Sequence, residues 1–157
     1  MSTLTEGSAF PPFSLADDRG GTVSLDSLKG KPFVVYFYPK DDTSGCTLEA
    51  IEFTALAADY AAAGVPVFGV SPDPVKKHCK FREKHGLSVE LLSDEGHTLL
   101  EPAGVWVEKS MYGRKYMGVE RTTALVGRDG IVLRVWEKVK VPEHAREVLE
   151  AARKLTA

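Results

Sequence analysis

Apolar and polar positions cluster and recur along this chain in a pattern that predicts a mixed α/β unit. Phe13-Ser14-Leu15 and Thr22-Val23-Ser24 flank the turn Asp17-Asp18-Arg19-Gly20-Gly21 and read as an N-terminal β-hairpin. Phe33-Val34-Val35-Tyr36-Phe37-Tyr38 is an unbroken apolar and aromatic run, suited to a strand buried on both faces, and Pro39 ends it. Leu48, Ile51, Ala55, Leu56 and Tyr60 then recur near helical spacing up to Gly64, which predicts one helix of about 17 residues. Val65 to Val70 predicts a second buried strand, and Pro74 to His85 a second helix, with capping side chains supplied by Ser71-Pro72-Asp73. Glu90-Leu91-Leu92 reads as a short strand and Thr98 to Ala103 as a short helix. Thr122 to Val126 pairs with Ile131 to Trp136 as a hairpin about Gly127-Arg128-Asp129-Gly130, and Pro142 to Leu155 closes the chain as a helix.

Right-handed crossovers make the first two long strands parallel, and the terminal hairpin adds antiparallel ones. The expected architecture is therefore α/β and thioredoxin-like: a mixed central sheet, helices on both faces and the N-terminal β-hairpin. No repeat, low-complexity tract or linker interrupts it, so residues 1–157 are expected to form a single domain.

Composition narrows the chemistry. A 157-residue chain that is 43% hydrophobic and 27% charged buries enough surface to fold without a disulfide or metal, which leaves its two cysteines free to react. The formal charge of −2 comes from 20 basic and 22 acidic residues spread along the chain, so no footprint for nucleic acid or anionic lipid is expected. There is no signal-peptide pattern at the start and no run of about 20 apolar residues, so a cytoplasmic protein without membrane contact is expected. Cys46 and Cys79 lie 33 positions apart with no C-x-x-C, against both a zinc site and a thioredoxin-type dithiol. His78, Cys79 and His85 have unsuitable spacing for a metal. In a reducing cytosol the thiols stay reduced, and a disulfide between them is transient and catalytic.

Cys46 is the candidate nucleophile. It follows the polar loop Lys40-Asp41-Asp42-Thr43-Ser44-Gly45 in the first turn of a helix, where backbone N–H groups lack intrahelical partners and anions are favoured. Such positions lower thiol pKa values, and the gain is large. An unperturbed thiol is about 3% ionised at pH 7, one with a pKa of about 6 about 90% ionised. Asp41 and Asp42 oppose this if they point at the sulfur, so a cation from elsewhere is required, and Arg121 is the candidate. Thr43, three residues before Cys46, carries a hydroxyl able to hold a peroxide oxygen. Fixed donors and a guanidinium suit attack on an O–O bond, where negative charge passes from sulfur to the leaving oxygen and the sulfur becomes sulfenic acid.

Pro39-x-x-x-Thr43-x-x-Cys46 with Arg121 downstream resembles the active-site signature of the peroxiredoxins. From about Gly7 to Leu155 the chain is most similar to the bacterioferritin-comigratory, or Q-type, branch, including Tyr36-Phe37-Tyr38-Pro39-Lys40, Gly45-Cys46-Thr47, Leu91-Leu92-Ser93-Asp94 and Gly118-Val119-Glu120-Arg121. The resemblance implies a thiol-dependent peroxidase acting on hydrogen peroxide and organic hydroperoxides. It makes Cys46 the peroxidatic cysteine, Thr43 a partner of the peroxide, Arg121 the stabiliser of thiolate and transition state, and Pro39 a shield over the sulfur. Glu49, one turn beyond Cys46, would orient Arg121. No metal, flavin or haem is implied; the expected partners are a hydroperoxide and thioredoxin or another thiol reductant, and the expected state is a monomer.

The chain departs from the pattern at the resolving position. Many members of the branch carry that cysteine five residues after the peroxidatic one, where this chain has Ile51. Others carry it in the next helix nearer Arg82, so Cys79 is the resolving candidate, displaced by about one turn. A Cys46–Cys79 disulfide would demand local unwinding, because disulfide bonding needs Cα atoms within about 7 Å. A one-cysteine cycle completed by an external thiol is the other route. Two further classes stay open: a non-enzymatic redox sensor or holdase, and a thiol-disulfide oxidoreductase.

Overall fold

The computed structural model describes residues 3–156. The hairpin strands β1 (Ser14–Asp17) and β2 (Thr22–Ser24) come first, followed by a single 3-10 turn at Asp26–Leu28 and strand β3 (Phe33–Phe37). Helices α1 (Ser44–Ala55) and α2 (Ala57–Ala63), strand β4 (Val67–Ser71), helix α3 (Val75–His85) and strand β5 (Glu90–Ser93) form the middle of the chain. A ribbon of β6 (Trp106–Met111) and β7 (Arg114–Val119) precedes β8 (Thr122–Val126), β9 (Val132–Trp136) and α4 (His144–Leu155). Seven strands form one mixed sheet in the order β2-β1-β5-β4-β3-β8-β9, with β3, β4 and β5 parallel and β8 antiparallel to β3.

Alternation along β3 divides the core. Val34 and Tyr36 face a cluster to which all four α-helices contribute, among them Phe53, Tyr60, Phe81 and Val148. Phe33, Val35 and Phe37 face the opposite cluster with Phe10, Leu28, Leu99 and Leu100. That second face is covered by the N-terminal segment, the 3-10 turn and the stretch after His97, so the helical cover expected there is a single 3-10 turn. The short helix expected from Thr98 to Ala103 is a run of turns instead. The Asp94 carboxylate accepts the N–H groups of Thr98, Leu99 and Leu100 as a helix cap would, but only two i→i−4 bonds follow, from Glu101 N–H to His97 O and from Ala103 N–H to Leu99 O, before Gly104 turns the chain.

Two other elements differ from the sequence pattern. The single helix expected up to Gly64 is broken at Leu56, whose N–H is shared between the carbonyls of Glu52 and Phe53. The re-aimed second segment lets the Tyr60 hydroxyl donate to Ala145 O at 2.7 Å, tying α2 to α4. The β6–β7 ribbon was not expected. Its tip, Tyr112-Gly113, has φ values of 52° and 76°, the left-handed pair of a tight hairpin turn. Met111, Tyr112, Tyr116 and Met117 are exposed, so the ribbon lacks the one-sided apolar alternation that marks a half-buried strand.

His144 fastens α4 to the sheet. Its Nε2 lies 2.8 Å from Thr123 Oγ1 on β8, and its ring stands edge-on to Phe53 and Trp136. Burial lowers this imidazole to about 4, with Arg121 pushing the same way and Glu147 opposing. A depressed folded value means that the stability His144 contributes is present above about pH 6.5 and is lost as pH falls toward 4. Urea denaturation is expected to show a loss of about 2 kcal/mol between pH 7 and 5 that His144→Gln largely removes. Equal pH slopes for the two proteins would contradict that assignment.

Candidate active site around Cys46

Strand register brings Arg121 to the start of the helix that carries Cys46. Phe37, the last residue of β3, is paired with Thr122, the first of β8, so Arg121 lies at the end of the sheet from which the chain enters α1. Thr43 is the N-cap of α1, and the first bond of the ladder runs from Thr47 N–H to Thr43 O at 2.8 Å. The N–H groups of Ser44, Gly45 and Cys46 therefore precede the ladder, as expected for a helix start that favours an anion. Cys46 is 1% exposed, and Arg121 reaches it: Nη2 donates to Sγ at 3.2 Å, while Nη1 donates to Glu49 Oε1 at 2.6 Å. Gly45 leaves room for this approach, as a Cβ there would meet Arg121 Nη2 at a tight 3.3 Å.

Thr43 is exposed, and its hydroxyl donates to Lys40 O at 3.1 Å. The hydroxyl proton being engaged, its lone pairs are left to accept a proton from an incoming O–H. Pro39 is half-buried in the segment between β3 and the loop. Glu49 is 1% exposed with Oε2 unpartnered among the described residues; burial pushes its carboxyl up to about 7, and the Arg121 charge limits the rise. Burial works against the Arg121 charge, but Glu49 and Cys46 outweigh it and hold the guanidinium above its ordinary value.

Asp41 and Asp42 do not point at the sulfur. Asp41 accepts from the Tyr38 hydroxyl at 2.6 Å and faces His78 Nδ1 at 2.6 Å. Asp42, with φ 63°, pairs with Lys84 at 2.7 Å and His85 at 2.8 Å. Both carboxylates are thus drawn to α3, and Arg121 does not have to overcome them at close range. Lys109 of β6 is a further cation at this site that the sequence pattern did not reveal. Its stem packs over Gly118, burial and Arg121 lower its ammonium, and Cys46 and Glu120 oppose that shift.

Cys79 is not part of this arrangement. Its Sγ donates to Asp18 O at 3.2 Å, beside the ion pair of Arg82 with the Asp18 carboxylate. Asp18 follows β1, which two strands separate from β3, so about 14 Å of sheet lies between the β1 and β3 axes. His78, Cys79 and His85 turn to Asp41, Asp18 and Asp42 respectively and do not converge. A hollow of about 520 Å3, lined by Phe53, Tyr60, Val65 and Val89, lies by the N-terminal end of β4, and Cys46 is not among its lining residues.

A buried sulfur at a helix start, held by a guanidinium on a thioredoxin-like sheet, defines the class of thiol-dependent peroxidases. The AhpC/TSA family matches residues 7–135. The chain is 48% identical over 147 residues to a putative peroxiredoxin Bcp of Coxiella burnetii, covering 94% of this chain and 97% of that one. It is 43% identical over 154 residues to peroxiredoxin Bcp of Bacillus subtilis, covering 98% of each. Among solved structures, a Xanthomonas campestris bacterioferritin comigratory protein, studied in trapped intermediate and ligand complexes for its alkyl peroxide reduction activity, superposes with a TM-score of 0.88. It shares 38% identity over 99% of both chains. The chain belongs to the AhpC/TSA family, among the peroxiredoxins of the Bcp, or Q-type, branch.

Arg121→Lys keeps the charge but loses the fork that meets sulfur and carboxylate together. Its second-order rate constant with hydrogen peroxide is expected to fall about a hundredfold, measured by single-turnover competition kinetics. A rate within twofold of wild type would mean that charge alone suffices.

Proposed function

We propose that Cys46 is the peroxidatic cysteine of a peroxidase reducing hydrogen peroxide and organic hydroperoxides. The observation that carries this reading is the Arg121 guanidinium bridging Cys46 Sγ and Glu49. The thiolate attacks the O–H oxygen of ROOH, the O–O bond breaks, sulfur becomes S–OH, and RO− takes a proton to leave as water or alcohol. Thr43 Oγ1 accepts the hydroperoxide O–H, while Arg121 follows the charge from sulfur to the breaking bond. Glu49 is a positioning residue that fixes the guanidinium, and Pro39 covers the sulfur.

The sulfenic acid condenses with a second thiol, releasing water, and a dithiol reductant, thioredoxin by resemblance, restores Cys46. An intramolecular Cys46–Cys79 disulfide requires the start of α1 and the Cys79 turn of α3 to unwind. The hydrogen bond from Cys79 to Asp18 favours the second reading, a one-cysteine cycle in which an external thiol resolves Cys46. A cytoplasmic, monomeric enzyme fits both readings.

Cys46→Ser is expected to abolish turnover of hydrogen peroxide. One equivalent of peroxide under non-reducing conditions with a sulfenic-acid trap, read by mass spectrometry, separates the routes. A Cys46–Cys79 crosslink supports the two-cysteine cycle, and a trapped Cys46 adduct the one-cysteine cycle. A single stoichiometric oxidation without turnover would instead favour a sensor or holdase, and reduction of an insulin-type disulfide an oxidoreductase.

A further inference from the structure

One buried titratable cluster takes no part in the chemistry at Cys46. His78 is 0% exposed, and both of its ring nitrogens face acceptors: Nε2 lies 2.9 Å from Leu92 O and Nδ1 2.6 Å from Asp41 Oδ2. A carbonyl oxygen only accepts, so Nε2 carries a proton. A neutral imidazole would then present a bare Nδ1 lone pair to a carboxylate oxygen at hydrogen-bonding distance, where two acceptors repel. The contact requires a further proton, which makes the pair an imidazolium and a carboxylate.

The remaining atoms of the cluster are also engaged. Asp41 Oδ1 accepts from Tyr38, and Asp73 Oδ2 accepts from Asp41 N–H at 2.8 Å and from Ser71 Oγ at 2.8 Å. Asp41, Asp73 and His78 lie close enough to suggest a metal, but these hydrogen bonds already use the atoms that would ligate it. The pair stands where the catalytic loop begins, two residues before Thr43 and five before Cys46. Asp41 is therefore held to α3 by its side chain and to the β4–α3 turn by its backbone.

We propose that Asp41 and His78 are a positioning pair: by sharing a proton in a buried ion pair, they hold the loop that delivers Thr43 and Cys46 to the peroxide. The inference rests on Cys46 as the reacting sulfur. The groups facing His78 are Asp41 from the loop, the Tyr38 hydroxyl of the β3 segment at 3.5 Å, and the Leu92 carbonyl of β5. Asp73 acts from the β4–α3 turn, its other oxygen 4.0 Å from Lys77. Burial lowers the His78 imidazole, but the hydrogen bond and charge of Asp41, with Leu92 and Asp73, carry it above its ordinary value. The raised value sets the sign: the latch is closed below the folded value and opens as pH rises through it. Opening turns the Nδ1 lone pair against Asp41 and releases the loop, and displacement of a reacting group by about 1 Å costs up to about a hundredfold in rate.

The test is the single-turnover rate constant of Cys46 oxidation by hydrogen peroxide across neutral to alkaline pH. Wild type is expected to lose roughly tenfold on the alkaline side. In Asp41→Asn the amide donates to a neutral His78 Nδ1 while its oxygen still accepts from Tyr38, so the contacts persist without the shared proton and the alkaline fall disappears. His78→Leu leaves Asp41 unpaired, and its rate at pH 7 is expected to drop about tenfold or more. An unchanged alkaline fall in Asp41→Asn, or no fall in wild type, overturns the proposal. Should His78→Leu fail to fold by circular dichroism, Asp41→Asn decides alone. Failure of the Cys46 reading shows separately, as absence of the sulfenic-acid adduct at Cys46 in wild type.

Discussion

A single guanidinium has to satisfy a sulfur and a carboxylate inside the protein, and much of this structure is arranged around that requirement. Arg121 meets Cys46 through one nitrogen and Glu49 through the other. Glu49 is almost fully buried with one oxygen unpartnered, so its charge is tolerable only beside Arg121, and breaking such a pair typically costs about 3–5 kcal/mol. The β3–β8 register brings Arg121 to the start of α1, and Gly45 leaves its guanidinium room beside the sulfur. Position along α1 does the rest: Cys46 and Glu49, three residues apart, share the face that meets the guanidinium.

The negative charges nearest the sulfur in sequence are turned away from it. Asp41 and Asp42 stand five and four residues before Cys46, and α3 engages both, through His78 for Asp41 and through Lys84 and His85 for Asp42. Helix α3 thus supplies counter-charges for the loop that precedes Cys46. Lys109 arrives from the β6–β7 ribbon on another side, so the positive potential near the site is assembled from segments far apart in the chain.

Helix α3 also carries Cys79 on a face directed to the hairpin edge. Arg82, one turn beyond Cys79, holds Asp18 and donates to the carbonyls of Leu87 and Val89. Asp18 therefore accepts from both Arg82 and Cys79. Resolution through Cys79 has to disturb these contacts, whereas resolution by an external thiol leaves them in place.

Much of the sheet was legible in the sequence because its signals are local. The aromatic run of β3, the Gly-Arg-Asp-Gly turn before β9 and the polar loop ahead of Cys46 each state a local conformation, and the motif around Cys46 with Arg121 was enough to name the class. The missing pieces depend on partners distant in sequence. The break at Leu56 accompanies the bond from Tyr60 to Ala145, 85 residues further along the chain. The exposed β6–β7 ribbon has no one-sided apolar periodicity to betray it. By itself the sequence determined a cysteine at a helix start on a thioredoxin-like sheet, since helix starts and strand runs are written within a few residues. Only the tertiary structure decided that the aspartates face α3, that His78 lies against Asp41 and that Cys79 lies at the far edge. Side-chain direction and the pairing of buried charges exist only once distant segments have packed.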